Sequence, residues 1–118
     1  MAFAGLTPDQ IDETEFSKIA VPVAGQAGRS LLQYEAYAST VVFLEALKRV
    51  GRLLDRAALV QALEGLRDIR TGVLPPITFR RDRHDGLSGA AVIGVAANGQ
   101  ARFLSPWRPG AANAPDPE

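Results

Sequence analysis

The stretch from Ser30 to Val50 constrains the fold most, because its pattern fits only a long helix with much apolar surface to bury. Tyr34, Tyr37, Ala38, Val41, Leu44 and Leu47 recur at three- and four-residue spacing, which places them on one face of an α-helix. Val42, Phe43 and Ala46 add a second apolar side. A helix that is apolar over most of its circumference belongs in a core covered from both sides. Its ends are marked as well. Ser30 suits the N-cap, Lys48 and Arg49 suit the negative end, Glu45 and Arg49 form an i,i+4 pair, and Gly51 offers a left-handed stop.

The flanking segments are shorter. Thr7, Pro8 and Gln10 fit the N-cap, N1 and N3 positions of a capping box, and Asp9, Asp12 and Glu13 suit the dipole of a helix over residues 7–16. Lys18 to Val23 reads as a strand, with Pro22 marking an edge or an end, and Gly25 to Gly28 as a flexible loop. A second helix runs from Arg56 to Leu66, capped by Asp55, with Leu59, Ala62, Leu63 and Leu66 on its buried face. Asp68 to Pro76 is a turn-rich connection, Ile77 to Phe79 a strand and Arg80 to Gly86 a charged turn. Ala90–Ala96 and Ala101–Leu104 form a hairpin around Asn98-Gly99, a pair that suits a type I′ turn with positive φ at both residues. The Pro- and Ala-rich residues 108–118 read as a disordered tail. The order of helix, strand, two helices and strands predicts an α/β chain, but without the β-α-β series that completes a parallel sheet.

Composition sets the class. The chain has 118 residues, enough for one domain with a modest core, and its 47% apolar and 22% charged residues are those of a globular protein. A net charge of zero gives no electrostatic case for nucleic acid or an anionic membrane surface. Without cysteine there is no disulfide or thiol chemistry. No apolar run approaches the roughly 18–20 residues of a membrane span. Residues 1–10 lack the basic and apolar regions of a signal peptide, so none is expected there.

Three stretches, taken in order, resemble the end of type I periplasmic binding proteins of the leucine-isoleucine-valine class. The first is Tyr34-Glu-Ala-Tyr-Ala-Ser-Thr-Val-Val-Phe-Leu-Glu-Ala-Leu-Lys-Arg-Val-Gly51. The second is Asp55-Arg-Ala-Ala-Leu-Val-Gln-Ala-Leu-Glu-Gly-Leu66. The third joins Thr71-Gly-Val-Leu-Pro-Pro-Ile-Thr-Phe79, Asp82-Arg-His-Asp-Gly-Leu87 and a hairpin ending at Ser105-Pro-Trp107. The resemblance covers residues 17–107, leaving 1–16 unassigned and 108–118 as the tail. It implies an incomplete form of a two-lobed, hinged fold, made of two packed helices, short strands and a C-terminal β-hairpin. It further implies a periplasmic setting, an amino-acid-like ligand gripped only when the other lobe is supplied, and delivery to an ABC permease. By that resemblance Tyr34 and Tyr37, at the start of the long helix, lie near the ligand cleft, one of them as a wall for an aliphatic side chain. Periodicity alone also accounts for both as packing aromatics.

Other chemistry-bearing residues point to no reaction. His84, between Asp82 and Asp85, has neither the further ligands of a metal site nor a nucleophile to serve. Arg80, Arg81 and Arg83 are interleaved with Asp82 and Asp85 and lack the aromatic platform of single-strand binding. Gly25-x-x-Gly28 is short of any dinucleotide fingerprint. Asp9, Asp12, Glu13 and Glu15 suit a helix start better than acid–base work. No enzyme, cofactor or metal is expected. Two readings follow: part of a transporter's substrate-binding protein, or a small autonomous interaction domain derived from that fold. The second helix and the short strands cover the long helix only in part, which predicts self-association or a protein partner; a chain that stays monomeric would favour the autonomous domain.

Overall fold

The computed structural model describes residues 2–3, 6, 10–19 and 31–110. The expected helix start at Thr7 and Pro8, most of the Lys18–Val23 strand, the Gly25–Gly28 loop, the Ser30 cap and residues 111–118 lie outside them. In chain order the elements are β1 (Ala2–Phe3), α1 (Phe16–Ile19), α2 (Leu31–Val50), α3 (Arg56–Glu64), β2 (Gly89–Val95) and β3 (Ala101–Pro109). The expected α/β arrangement of two packed helices, short strands and a terminal hairpin is the one observed.

Both main helices form where local signals put them. The Asp55 carboxylate accepts the N–H of Ala58 at 2.7 Å, satisfying a donor that the first turn of α3 leaves unpaired. The Gly51 N–H closes α2 on the Leu47 carbonyl at 3.0 Å. Arg49 makes the expected pair with Glu45 at 3.3 Å and also donates to the Gly65 carbonyl, tying α2 to the end of α3.

The buried face of α2 differs from the expected stripe. Ala38, Val42 and Ala46 enter the core, whereas Leu44, expected inside, is 49% exposed. Ala38 and Ala46 are small, so neighbouring segments can approach the helix closely on that side. Apolar residues on both sides gave periodicity no means of choosing between them. Leu32, Phe43, Leu44, Leu53 and Leu54 are left exposed along α2 and the turn that follows.

The partners that complete the core come from outside the helices. Ile69 and Ile77 exchange backbone hydrogen bonds of 2.9 and 3.0 Å, which cinch the chain between them into a loop. That loop turns Val73, Leu74 and Pro75 inward, and all three are buried beside Phe16, Val42, Leu66 and Ile77. Ile77–Phe79 makes only an isolated bridge at Ile77, not the expected strand, because its other backbone bonds are spread over separate segments: Thr78 donates to Gly86 and Phe79 to Leu66. Arg80 and Arg83 close the charged turn with reciprocal bonds of 2.9 and 3.1 Å.

The N-terminal part also departs from expectation. Residues 11–13 are not helical, and the helix comes later, over Phe16–Ile19, so that Lys18 and Ile19 are helical rather than extended. Asp12 is the cause. Its carboxylate accepts the N–H and the O–H of Thr14, at 3.0 and 2.5 Å, which turns the chain locally instead of continuing a helix. The same two bonds hold the Asp12 carboxyl below its usual pKa. The Glu13 carbonyl then accepts from Ser17 at 2.8 Å and starts α1, which delivers Phe16 to the core.

β1, β2 and β3 form an antiparallel sheet in that order, with Ala2 opposite Val92 and Ile93 opposite Phe103. Register shifts around Val92 mark an irregularity in β2, and β3 continues past the expected strand end at Leu104 through Pro109, so that Arg108 and Pro109, expected in the disordered tail, pair with Ala90 and Gly89. The turn is centred where expected but is of another type. Gly99 has φ +81°, while Asn98 is not in the left-handed region. Gly99 donates to the Ala96 carbonyl at 2.8 Å and Ala96 to the Gln100 carbonyl at 2.9 Å, which defines a three-residue loop with glycine at its left-handed position. Asn98 contributes through its side chain, accepting the Gln100 N–H at 3.1 Å. A Cβ on Gly99 meets nothing within 4 Å, so Gly99→Val bears the backbone penalty alone, about 1–2 kcal/mol. Thermal unfolding should register that loss, and a midpoint equal to the parent's would remove the turn assignment.

Candidate functional site

An open groove of about 440 Å³ runs beside α2 and is the larger of the two concave surfaces described here. Helical spacing builds one wall: Glu35, Ala38, Ser39, Val42 and Phe43 fall on adjacent turns of α2. Leu63 of α3 contributes from the side, and Leu74, Ile77 and Phe79 face α2 from the cinched loop and the residues after it. Asp85, Gly86 and Leu87 complete the lining. Thr78 holds that last segment in place through the 3.0 Å bond to Gly86. Arg67 fixes Phe79 from behind, its Nη1 donating to the carbonyls of Phe79, Glu64 and Leu66. Among the described residues the groove is thus carbon-walled, with Glu35, Ser39 and Asp85 as its polar side chains.

Leu63 and Phe79 also line a smaller hollow of about 200 Å³ with Val60, Glu64 and His84. His84 Nε2 lies 2.9 Å from Glu64 Oε1, joining the charged turn to α3, and its side chain is mostly exposed. Among the described residues no three metal-ligating side chains come together. Arg80 and Arg83 bond each other's backbones, and Arg83 Nη2 donates to the Thr78 carbonyl at 3.1 Å, whereas its Nε and Nη1 are buried without a hydrogen-bond partner among the described residues. Gly25 and Gly28 lie outside the described residues.

Tyr34 and Tyr37 do not line the groove. Both rings meet Phe16 edge to face, with centroids 5.3 Å away and planes inclined by 65° and 84°. The Tyr34 hydroxyl donates to Glu13. Both side chains remain partly accessible at the N-terminal end of α2. Sequence reasoning did not single out Glu35, Ser39 or Asp85. The available signal was the second apolar side of α2, since Phe43 on that side brings its polar neighbours into the groove.

A family model described as periplasmic binding protein matches residues 4–100. No curated protein and no solved structure matches the chain. Among the described residues no helix is long and apolar enough to cross a membrane.

Proposed function

Because the chain belongs to the periplasmic binding protein family, we propose that it serves as the C-terminal portion of an ABC-transporter substrate-binding protein for branched-chain or related amino acids. The family match over residues 4–100 carries this reading, and membership of that family brings a small-molecule binding role with it. The order of elements supports the assignment: a long helix opened by aromatics, a capped second helix, a glycine-containing loop, a charged turn and a closing hairpin. In this reading the ligand sits between two lobes, the accessible parts of Tyr34 and Tyr37 contribute an apolar wall, and an ABC permease in the membrane receives the ligand. The setting is the periplasm.

Uptake is the direct test. Cells lacking the gene should lose transport of at least one of leucine, isoleucine, valine or an aromatic relative, and regain it when the gene is restored. Unchanged uptake across that set would refute the proposal. The isolated chain should give no saturable heat in calorimetry with the same amino acids, because a cleft shared between lobes needs both for a tight grip. A low-micromolar dissociation constant, about −8 kcal/mol, would instead place the whole binding site within this chain.

A further inference from the structure

We infer that the groove beside α2 is a binding site for a small apolar monocation, an alkyl- or arylammonium, separate from any amino-acid cleft at Tyr34 and Tyr37. Its volume of about 440 Å³ lies within the range of small-molecule sites, and its walls are carbon: Val42, Phe43, Leu63, Leu74, Ile77 and Phe79. Its charge has one sign. Among the described residues Glu35 and Asp85 line it, and no lysine, arginine or histidine does. Neither carboxylate has a hydrogen-bond or ion-pair partner among the described residues, so both are available as acceptors. Neither nearby cation lines the groove: Arg83 donates through Nη2 to the Thr78 carbonyl, its Nε and Nη1 lying buried without a hydrogen-bond partner among the described residues, and His84 pairs with Glu64 in the smaller hollow that also contains Phe79.

These features select a ligand by chemistry. An ammonium offers three donors to carboxylate and hydroxyl acceptors, and Phe43 and Phe79 can add attraction between a cation and a ring face. A hydrocarbon body of the size of a leucine or phenylalanine side chain covers the apolar walls. A carboxylate meets repulsion and finds no basic partner among the described lining residues. The groove therefore prefers an amine to the amino acid with the same side chain. That preference sets it apart from the amino-acid site proposed above.

The test titrates the purified chain with isoamylamine and phenethylamine, their carboxylate counterparts isocaproate and hydrocinnamate, and leucine, following the ring and methyl NMR signals of Phe43, Phe79 and Leu87. The amines should give saturable shifts at these residues. Glu35→Gln and Asp85→Asn should each weaken amine binding about threefold, the scale of one exposed charge interaction, with spectra otherwise unchanged. Added salt should weaken it further. The inference is overturned if the amines give no saturable shift, if the carboxylates or leucine bind as tightly as the amines, or if the doubly substituted chain keeps its amine affinity.

Discussion

Leu66→Ala should lower the stability of the fold by about 2–5 kcal/mol, the range for deleting a large buried aliphatic side chain. Leu66 is 0% exposed and lies in the core with Val42, Val73 and Ile77. It also lies at a crossing of backbone bonds. Its N–H reaches the Leu63 carbonyl at 3.0 Å, and its own carbonyl accepts from Phe79 at 3.0 Å and from Arg67 at 3.0 Å. With α3, the cinched loop and the 77–79 segment meeting around one side chain, a cavity there cannot close without moving all three. Small domains hold only about 5–15 kcal/mol of net stability, so this loss is a large share of the whole. Chemical denaturation followed by circular dichroism measures it. Leu53→Ala is the control, since Leu53 is 87% exposed and should shift stability by less than about 0.5 kcal/mol. Equal losses in the two variants would show that the core is not centred on Leu66.

Gly72→Val should be at least as damaging locally, and it should separate the N-terminal segment from the core. Gly72 has φ +81°, where a β-branched residue is strained by about 1–3 kcal/mol. A Cβ at this position would also stand 2.4 Å from the Asp12 carbonyl oxygen, a backbone atom that can yield only if the segment moves. The contact exists because the Asp12 N–H donates to the Gly72 carbonyl at 2.8 Å, joining residues 10–16 to the cinched loop. Loss of that bond should release Phe16 from Tyr34 and Tyr37. Two readouts test this: a fall in the denaturation midpoint, and faster proteolysis at Lys18. A variant with the parent's midpoint and cleavage pattern would show that the junction does not hold the segment in place.

Much of the local structure was legible because its causes lie within a few residues. The Asp55 cap needs only the Ala58 N–H three positions on, and the Glu45–Arg49 pair needs only one helical turn. The site of the hairpin turn was equally plain from Asn98-Gly99. Its type was not, because a two-residue and a three-residue loop suit the same pair, and the pairing of β2 with β3 chooses between them. The candidate groove was legible only in part. Phe43 belonged to the surplus apolar side of α2, but Glu35, Ser39 and Asp85 become neighbours of one cavity only after the segment after Phe79 folds back against α2.

The sequence by itself determined where the two main helices lie, though α3 stops at Glu64 and not at the expected Leu66, where the chain turns back at Asn98-Gly99, and which family the order of elements resembles. Helix caps, residue spacing and turn residues decide these matters through contacts of short range. Only the tertiary structure decided that Ala38, Val42 and Ala46, rather than Leu44, face the core. It also decided that Val73, Leu74 and Pro75 of a turn-rich loop are buried, and that Phe16 joins them. Burial is a property of what covers a residue, and here each cover comes from elsewhere in the chain. The loop is closed by Ile69 and Ile77, and the N-terminal segment is held by Asp12 on Gly72. No periodicity within a single helix contains that information, because the hydrophobic effect rewards removal from water by any neighbour, near or far along the chain.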